Sequence, residues 1–295
     1  MTLAPSVLRT STRRYFTRLR LHDILVLQGP PLIGAAFAFT RFRATNAVSL
    51  VTLLAGNLFL MTHIFMLNDW AGLKGDLADP NRAPRTFTAR GIATREIAFL
   101  STALLVVSLL LFSFLGTTET ALALAIAALS ALYSLPPFHL KGRAFLNSAV
   151  HLAGGVLHFL LGYSVAHAID RRGVAIAIYF ALIFVAGHLT QEVRDHAGDK
   201  INGIGTNAVT FGPRRTFAAS LILFASAHAI FFVLAVETLI PRPLAATVVL
   251  FPLQLYWSFA AMRDGLTYAS VSRLQSRYRM LYAFIGACIV LALAL

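Results

Sequence analysis

Apolar residues along this chain come in long unbroken blocks, and the blocks recur from residue 24 to the C-terminus. A bilayer core about 30 Å thick is crossed by roughly 17–25 helical residues. The blocks at 24–40, 46–67, 96–115, 119–135, 144–168, 173–190, 216–236, 241–262 and 278–295 suit that length. Barrel strands would alternate over about ten residues instead, and backbone in hydrocarbon must satisfy its own hydrogen bonds. The pattern therefore predicts an all-α polytopic membrane protein with about nine transmembrane helices in a bundle. Pro30-Pro31 in the first run and Pro252 in the eighth are expected to kink their helices or leave carbonyls free. The stretch 263–280, between the last two runs, reads as a long cytoplasmic loop.

Composition removes the water-soluble alternative. The 295 residues are 58% hydrophobic and 13% charged, with a mean hydropathy of +0.73, far from the usage of soluble domains. The formal charge of +13 is not a nucleic-acid signature here, because in a membrane protein the placement of Lys and Arg outweighs their sum. Twenty of the 25 cations fall before the first run or in the connections after even-numbered runs, and five fall on the other side. That asymmetry predicts a cytoplasmic N-terminus and a C-terminus outside, as expected of an integral protein of the bacterial inner membrane. Residues 1–22 form a basic N-terminal segment, with Arg9, Arg13, Arg14, Arg18 and Arg20 suited to lie on anionic lipid or to serve as a targeting segment. Residues 23–295 form one transmembrane domain. The lone Cys288 leaves no disulfide framework and no cysteine metal site.

The acidic residues depart from the pattern of ordinary solvated loops. Of only twelve, six fall in two short segments directly after the second and sixth runs: Asp69, Asp76 and Asp79, then Glu192, Asp195 and Asp199. Asn68-Asp69…Asp76 and Gln191-Glu192…Asp199 share a frame, an amide and an acid with an Asp seven further on, and lie 123 residues apart. On a helix those spacings put the carboxylates on one face. The match suggests a weak repeat of helices 1–4 and 5–8 in parallel orientation, bringing both stripes to one membrane face. Carboxylates so placed repel unless a cation lies between them. Oxygen ligands without Cys or paired His favour Mg²⁺, which completes its shell with water and substrate phosphate. Lys74, Arg82, Arg85, Lys141, Arg194 and Lys200 are then candidate phosphate contacts.

Three segments together resemble the UbiA superfamily of intramembrane prenyltransferases. They are Asn68-Asp69…Asp76…Arg82…Arg85, the turn Tyr133-Ser134-Leu135-Pro136-Pro137 leading to Lys141, and Glu192-Val193-Arg194-Asp195…Asp199-Lys200. The resemblance implies nine helices around a central cavity open to the membrane and two Asp-rich motifs that hold a prenyl diphosphate through Mg²⁺. It also implies prenyl transfer to an aromatic or other lipophilic acceptor, and the cation asymmetry puts that site at the cytoplasmic side. It puts Asn68, Asp69, Asp76, Asp195 and Asp199 on metal-diphosphate positions, the four Asp being the candidates for catalysis, and Glu192 of the second stripe is a further candidate metal ligand. Asn68, Tyr133, Lys141, Arg194, Arg82, Arg85 and Lys200 are assigned to the substrate. Gly72 stands where the family usually has a further Asp, and Gln191 where it often has Asp or Asn. A terpene cyclase or phosphoribosyl-type transferase of the same superfamily shares the site, and an ion-coupled transporter is the rival from another class, although transporter sites lie near the bilayer midplane. His63, His151, His158 and His188 fall inside apolar runs, and His151 and His158 share one face with Asn147; interhelical hydrogen bonds and acceptor contact are both open for that face.

Overall fold

The computed structural model describes residues 21–39, 44–78 and 83–294. The basic N-terminal arginines, Arg41, Arg43, Asp79, Arg82 and the side chain of Arg85 lie outside the described residues. The described chain is helical, without a strand, in the order α1 (Leu21–Val26), α2 (Gly29–Ala38), α3 (Ala44–Ala78), α4 (Thr94–Ser113), α5 (Thr117–Ser134), α6 (Leu146–Tyr163), α7 (Arg171–Ile201), α8 (Asn207–Phe211), α9 (Pro213–Val236), α10 (Phe251–Arg263) and α11 (Tyr268–Ala294). Among the described residues seven helical segments are long and apolar enough to cross a membrane, with Asp23–Ala38 a shorter apolar one. The expected fifth span, α6, carries Asn147, His151 and His158 among its apolar residues. Neighbours in sequence pack as neighbours in space, α3 on α4, α5 on α6 and α6 on α7, and α11 closes the bundle against α2 and α7.

The prolines act as their missing N–H groups require. Pro30 and Pro31 sit in the first turn of α2, where a helix needs no donors, and they leave the carbonyls four residues back unclaimed. Asn57 on α3 takes one of these: its Nδ2 donates to Leu27 O at 3.1 Å and to Gln28 Oε1 at 2.9 Å. His158 Nε2 meets Asn57 Oδ1 at 2.8 Å, so His158 takes the interhelical-bond role. In the eighth span a 3₁₀ stretch over Arg242–Leu250 precedes α10, and Pro252 falls in the first turn of α10. The Phe251 N–H reaches back three residues to Val248 O, the carbonyl that residue 252 cannot bond.

Three helices run past the ends of their apolar blocks. The acidic segments are the C-terminal turns of α3 and α7, which run on without a break to 35 and 31 residues. Polar residues propagate the i→i−4 ladder as well as apolar ones do, so the end of an apolar block marks the membrane edge and not the helix end. Likewise α11 begins at Tyr268, ten residues before the apolar run. Val271, Leu274, Tyr278, Leu281 and Ile285 are all buried, and their three-four spacing is the helix signal that hydrophobic density alone conceals.

Candidate functional site

The bundle encloses a cavity of about 2290 Å³ whose wall includes Asn68, Asp69 and Asp76 of α3, Lys141, and Glu192, Arg194, Asp195 and Asp199 of α7. Two carboxylate stripes 123 residues apart in sequence therefore face one space. The helix ends that carry them also meet directly: a Cβ on Gly75 of α3 would stand 3.8 Å from Asn202 Oδ1, at the C-cap of α7. Tyr133 joins the same wall, whereas Lys200 is exposed and lies off it.

Lys141 is carried by a turn between α5 and α6. His139 and Phe145 bracket it at φ of 44° and 64°, left-handed values that side chains adopt only when the surroundings hold them. Its Nζ donates to Asn68 Oδ1 at 3.3 Å and lies 3.3 Å from where a Cβ on Gly72 would be. The absence of a side chain at residue 72 thus leaves room for the ammonium beside Asp76. Burial, and then the charges of Lys141 and Arg143, push the His139 pKa below its ordinary value.

The second stripe divides into two chemical roles. Arg194 grips Asp195 through two parallel bonds of 2.8 Å, donates to Gln275 Oε1 at 2.7 Å and lies over the Tyr268 ring at 5.6 Å. Glu192 is 3% exposed. Its Oε1 accepts from Asn147 Nδ2 at 2.5 Å and Asn207 Nδ2 at 3.1 Å, and its Oε2 accepts from the Ala208 N–H at 3.2 Å. A buried carboxylate is tolerable only when its lone pairs are filled this way. Glu192 thereby ties α7 to α6 and α8, and Asn207 Oδ1 continues the chain of bonds to the Phe145 N–H at 2.9 Å. The Lys141 turn is further tied to the loop after α7 by a backbone bridge between Arg143 and Gly205.

Sequence reading missed Asn207, and it missed Gln275, Tyr278 and Arg279 of α11, which line the cavity and of which Arg279 pairs with Asp23 at 3.4 Å. The apolar spacing of residues 271–285 held the signal for α11; nothing local marks Asn207, whose partners lie 15 and about 60 residues away. Among the described residues no three His, Cys, Asp or Glu side chains converge tightly enough to hold a metal ion unaided.

Comparison with known proteins agrees with this architecture. The model of the UbiA prenyltransferase family matches residues 29–294. No curated protein matches the chain. Among solved structures, a UbiA homolog from Archaeoglobus fulgidus bound to GPP and Mg²⁺ superposes with a TM-score of 0.76 at 18% identity, covering 96% of this chain and 100% of that one. An apo UbiA homolog from Aeropyrum pernix K1 gives 0.70 at 21% identity, covering 92% and 98%. A digeranylgeranylglyceryl phosphate synthase gives 0.70 at 16%, covering 96% and 99%. At these identities the likeness is one of fold.

Proposed function

Because the chain belongs to the UbiA prenyltransferase family, we propose that it transfers a prenyl group from a prenyl diphosphate to a lipophilic aromatic acceptor at the cytoplasmic side of the membrane. The observation that carries this reading is the meeting of both acidic stripes and Lys141 on one cavity whose remaining wall is mostly apolar. The charged rim suits a diphosphate, and the apolar depth suits a prenyl chain and keeps water from an allylic cation.

Asp69 and Asp76 on one side and Asp195 and Asp199 on the other would hold Mg²⁺, since hard oxygen donors suit that ion and their sparse grouping leaves room for diphosphate oxygens in its shell. When bound, the ion supplies positive charge against which the diphosphate can depart. Glu192 is left out of this set because it is 3% exposed and bonded to Asn147, Asn207 and the Ala208 N–H, which hold it in the helix interface, whereas Asp195 is 19% exposed on the cavity wall and spends one lone pair of each oxygen on Arg194; the part of Glu192 is to hold α6, α7 and α8 in register. Lys141 binds and orients the diphosphate, and Asn68 orients Lys141. Arg194, held by Asp195, Gln275 and Tyr268, keeps a fixed positive charge at the rim. The placing of the acids at the ends of α3 and α7 weighs against ion-coupled transport, and the cation asymmetry supports a cytoplasm-facing rim.

The direct test supplies the purified protein with geranyl diphosphate, Mg²⁺ and a panel of phenols and quinols, with diphosphate release and prenylated products followed by mass spectrometry. Release is expected with Mg²⁺ and not with EDTA. Undiminished release in EDTA, or inertness toward every allylic diphosphate, overturns the reading.

Two substitutions probe the rim. Lys141→Ala is expected to raise KM for the prenyl diphosphate roughly 10- to 100-fold, the worth of a charge-assisted hydrogen bond, with unchanged yield of folded protein. An unaltered KM would make Lys141 an anchor of the turn alone. At residue 72 an Asp side chain would start 3.3 Å from the Lys141 ammonium and pair with it. Gly72→Asp is therefore expected to raise KM for the diphosphate, whereas Gly72→Ala, whose methyl meets only the end of a flexible lysine, keeps activity within about threefold. A lowered Mg²⁺ requirement in Gly72→Asp, without a KM penalty, would instead mark residue 72 as a missing ligand position.

A further inference from the structure

Phe145 stands immediately before α6 with φ at 64°, and it is 70% exposed. Two bonds hold its backbone there. Its N–H donates to Asn207 Oδ1 at 2.9 Å, and its carbonyl accepts from the Ala149 N–H at 2.8 Å. The ring lies outside the bundle with its centroid 4.9 Å from that of Phe211, the last residue of α8, which is exposed as well, as is Leu146. Exposed apolar residues that cluster in this way mark contact with lipid or with a partner.

Three arginines frame the aromatic pair. Arg143 lies two residues before Phe145, and Arg214 and Arg215 lie three and four residues after Phe211. All three are exposed, and among the described residues none of them pairs with a carboxylate, whereas Arg194, Arg273 and Arg279 each do. The patch stands at the membrane edge, since the apolar runs that hold α6 and α9 begin at residues 144 and 216. From it, exposed apolar residues continue down both helices: Ala149 and Leu152 on α6, and Ala218, Ala219 and Ile222 on α9. Their three-four spacing keeps each set on one helix face. None of these residues lines the cavity, so the surface is separate from the site described above.

We propose that this surface binds one anionic phospholipid, with its phosphate at Arg143, Arg214 and Arg215 and its acyl chains along the exposed stripes of α6 and α9. Guanidinium groups suit a phosphate because they can offer it two parallel charge-assisted bonds. The Phe145–Phe211 pair lies between charge and hydrocarbon, where burying its rings against the upper part of the chains is favourable. A soluble protein could cover the arginines and the two rings but could not follow the stripes into the bilayer, and a free phosphate ion has no chains to fill them. The inference does not depend on the prenyl-transfer reading.

The test is native mass spectrometry of the full-length protein in detergent, titrated with dioleoyl phosphatidylglycerol or with dioleoyl phosphatidylcholine. Wild-type protein is expected to hold its first phosphatidylglycerol at least about tenfold more tightly than its first phosphatidylcholine, since each arginine beside an anionic headgroup is worth roughly fivefold. Arg143→Gln/Arg214→Gln/Arg215→Gln is expected to lose that preference. Arg263→Gln/Arg273→Gln/Arg277→Gln, which removes the same charge from α10 and α11, is expected to keep it. All six arginines are exposed, so both variants keep the fold. Equal affinities in wild-type protein overturn the site, as does a preference that survives the first triple variant or falls equally in both. Displacement of the bound lipid by millimolar inorganic phosphate would reduce the surface to an anion site without chains and overturns it too. A dimer in the same spectra that dissociates in Phe145→Ala/Phe211→Ala would give the face to a second copy of the chain, with the same consequence.

Discussion

Asp76→Asn and Asp199→Asn are each expected to slow Mg²⁺-dependent diphosphate release by at least about two orders of magnitude, the loss usual when one preorganised charge-stabilising group is removed. The two residues stand on different helices, 123 positions apart, yet on the wall of one cavity. The change keeps the size of the side chain and one acceptor oxygen while removing the negative charge. Packing is thereby spared and the metal-holding role is isolated. Because the stripes are proposed to act on one diphosphate, the double variant is expected to be little slower than either single one, the non-additivity of groups that work as a unit. Glu192→Leu serves as the contrast. It removes the acceptor for Asn147, Asn207 and the Ala208 N–H, and its loss is expected as reduced thermal stability, since buried donors are left unpaired. Stopped-assay measurement of released diphosphate, with thermal unfolding in parallel, checks both. Activity of Asp76→Asn or Asp199→Asn within threefold of wild type would refute the shared site.

Gly162→Ala is expected to destabilise the fold by at least about 3 kcal/mol, beyond the usual range for an added methylene in a core. The helices α2 and α6 cross with backbone against backbone. A Cβ on Gly162 would fall inside the contact distance of the Pro31 carbonyl oxygen, and one on Gly34 inside that of the Phe159 carbonyl oxygen. Neither obstacle is a side chain that can turn aside, so the helices must separate, as at other small-residue crossings between membrane helices. Separation would also pull Leu27 and Gln28 away from Asn57. Gly154→Ala is the control on the same helix, because its Cβ would meet nothing within 4 Å. Thermal unfolding in detergent should show Gly162→Ala largely lost at temperatures where wild type and Gly154→Ala remain folded. An unchanged midpoint would mean that α2 shifts freely on α6.

Much of this protein follows from local chemistry. The apolar blocks determine that it is a helical membrane protein, because length and hydropathy are properties of short segments and hydrocarbon permits no other backbone solution there. The frame shared by Asp69–Asp76 and Glu192–Asp199 determines that each segment presents its carboxylates on one face, because side chains three, four and seven apart share a helix face wherever that helix lies. Helix ends were less legible. The turns after residues 67 and 190 and those before residue 278 are helical, yet hydropathy falls there, since the membrane boundary and the helix boundary are set by different forces. What only the tertiary structure decides is the division of labour among like residues. Glu192 and Asp195 are three apart on one acidic stripe, but Asn147 and Asn207 occupy the first and leave the second to Arg194. Ser130 looks in sequence like any helix serine, and only the absence of a partner for its hydroxyl among the described residues, shared with Ser134, sets it apart. A side chain's chemistry depends on which neighbours fill its lone pairs and donors, and in this bundle those neighbours come from helices far off in the chain, brought close by packing that no local window of sequence contains.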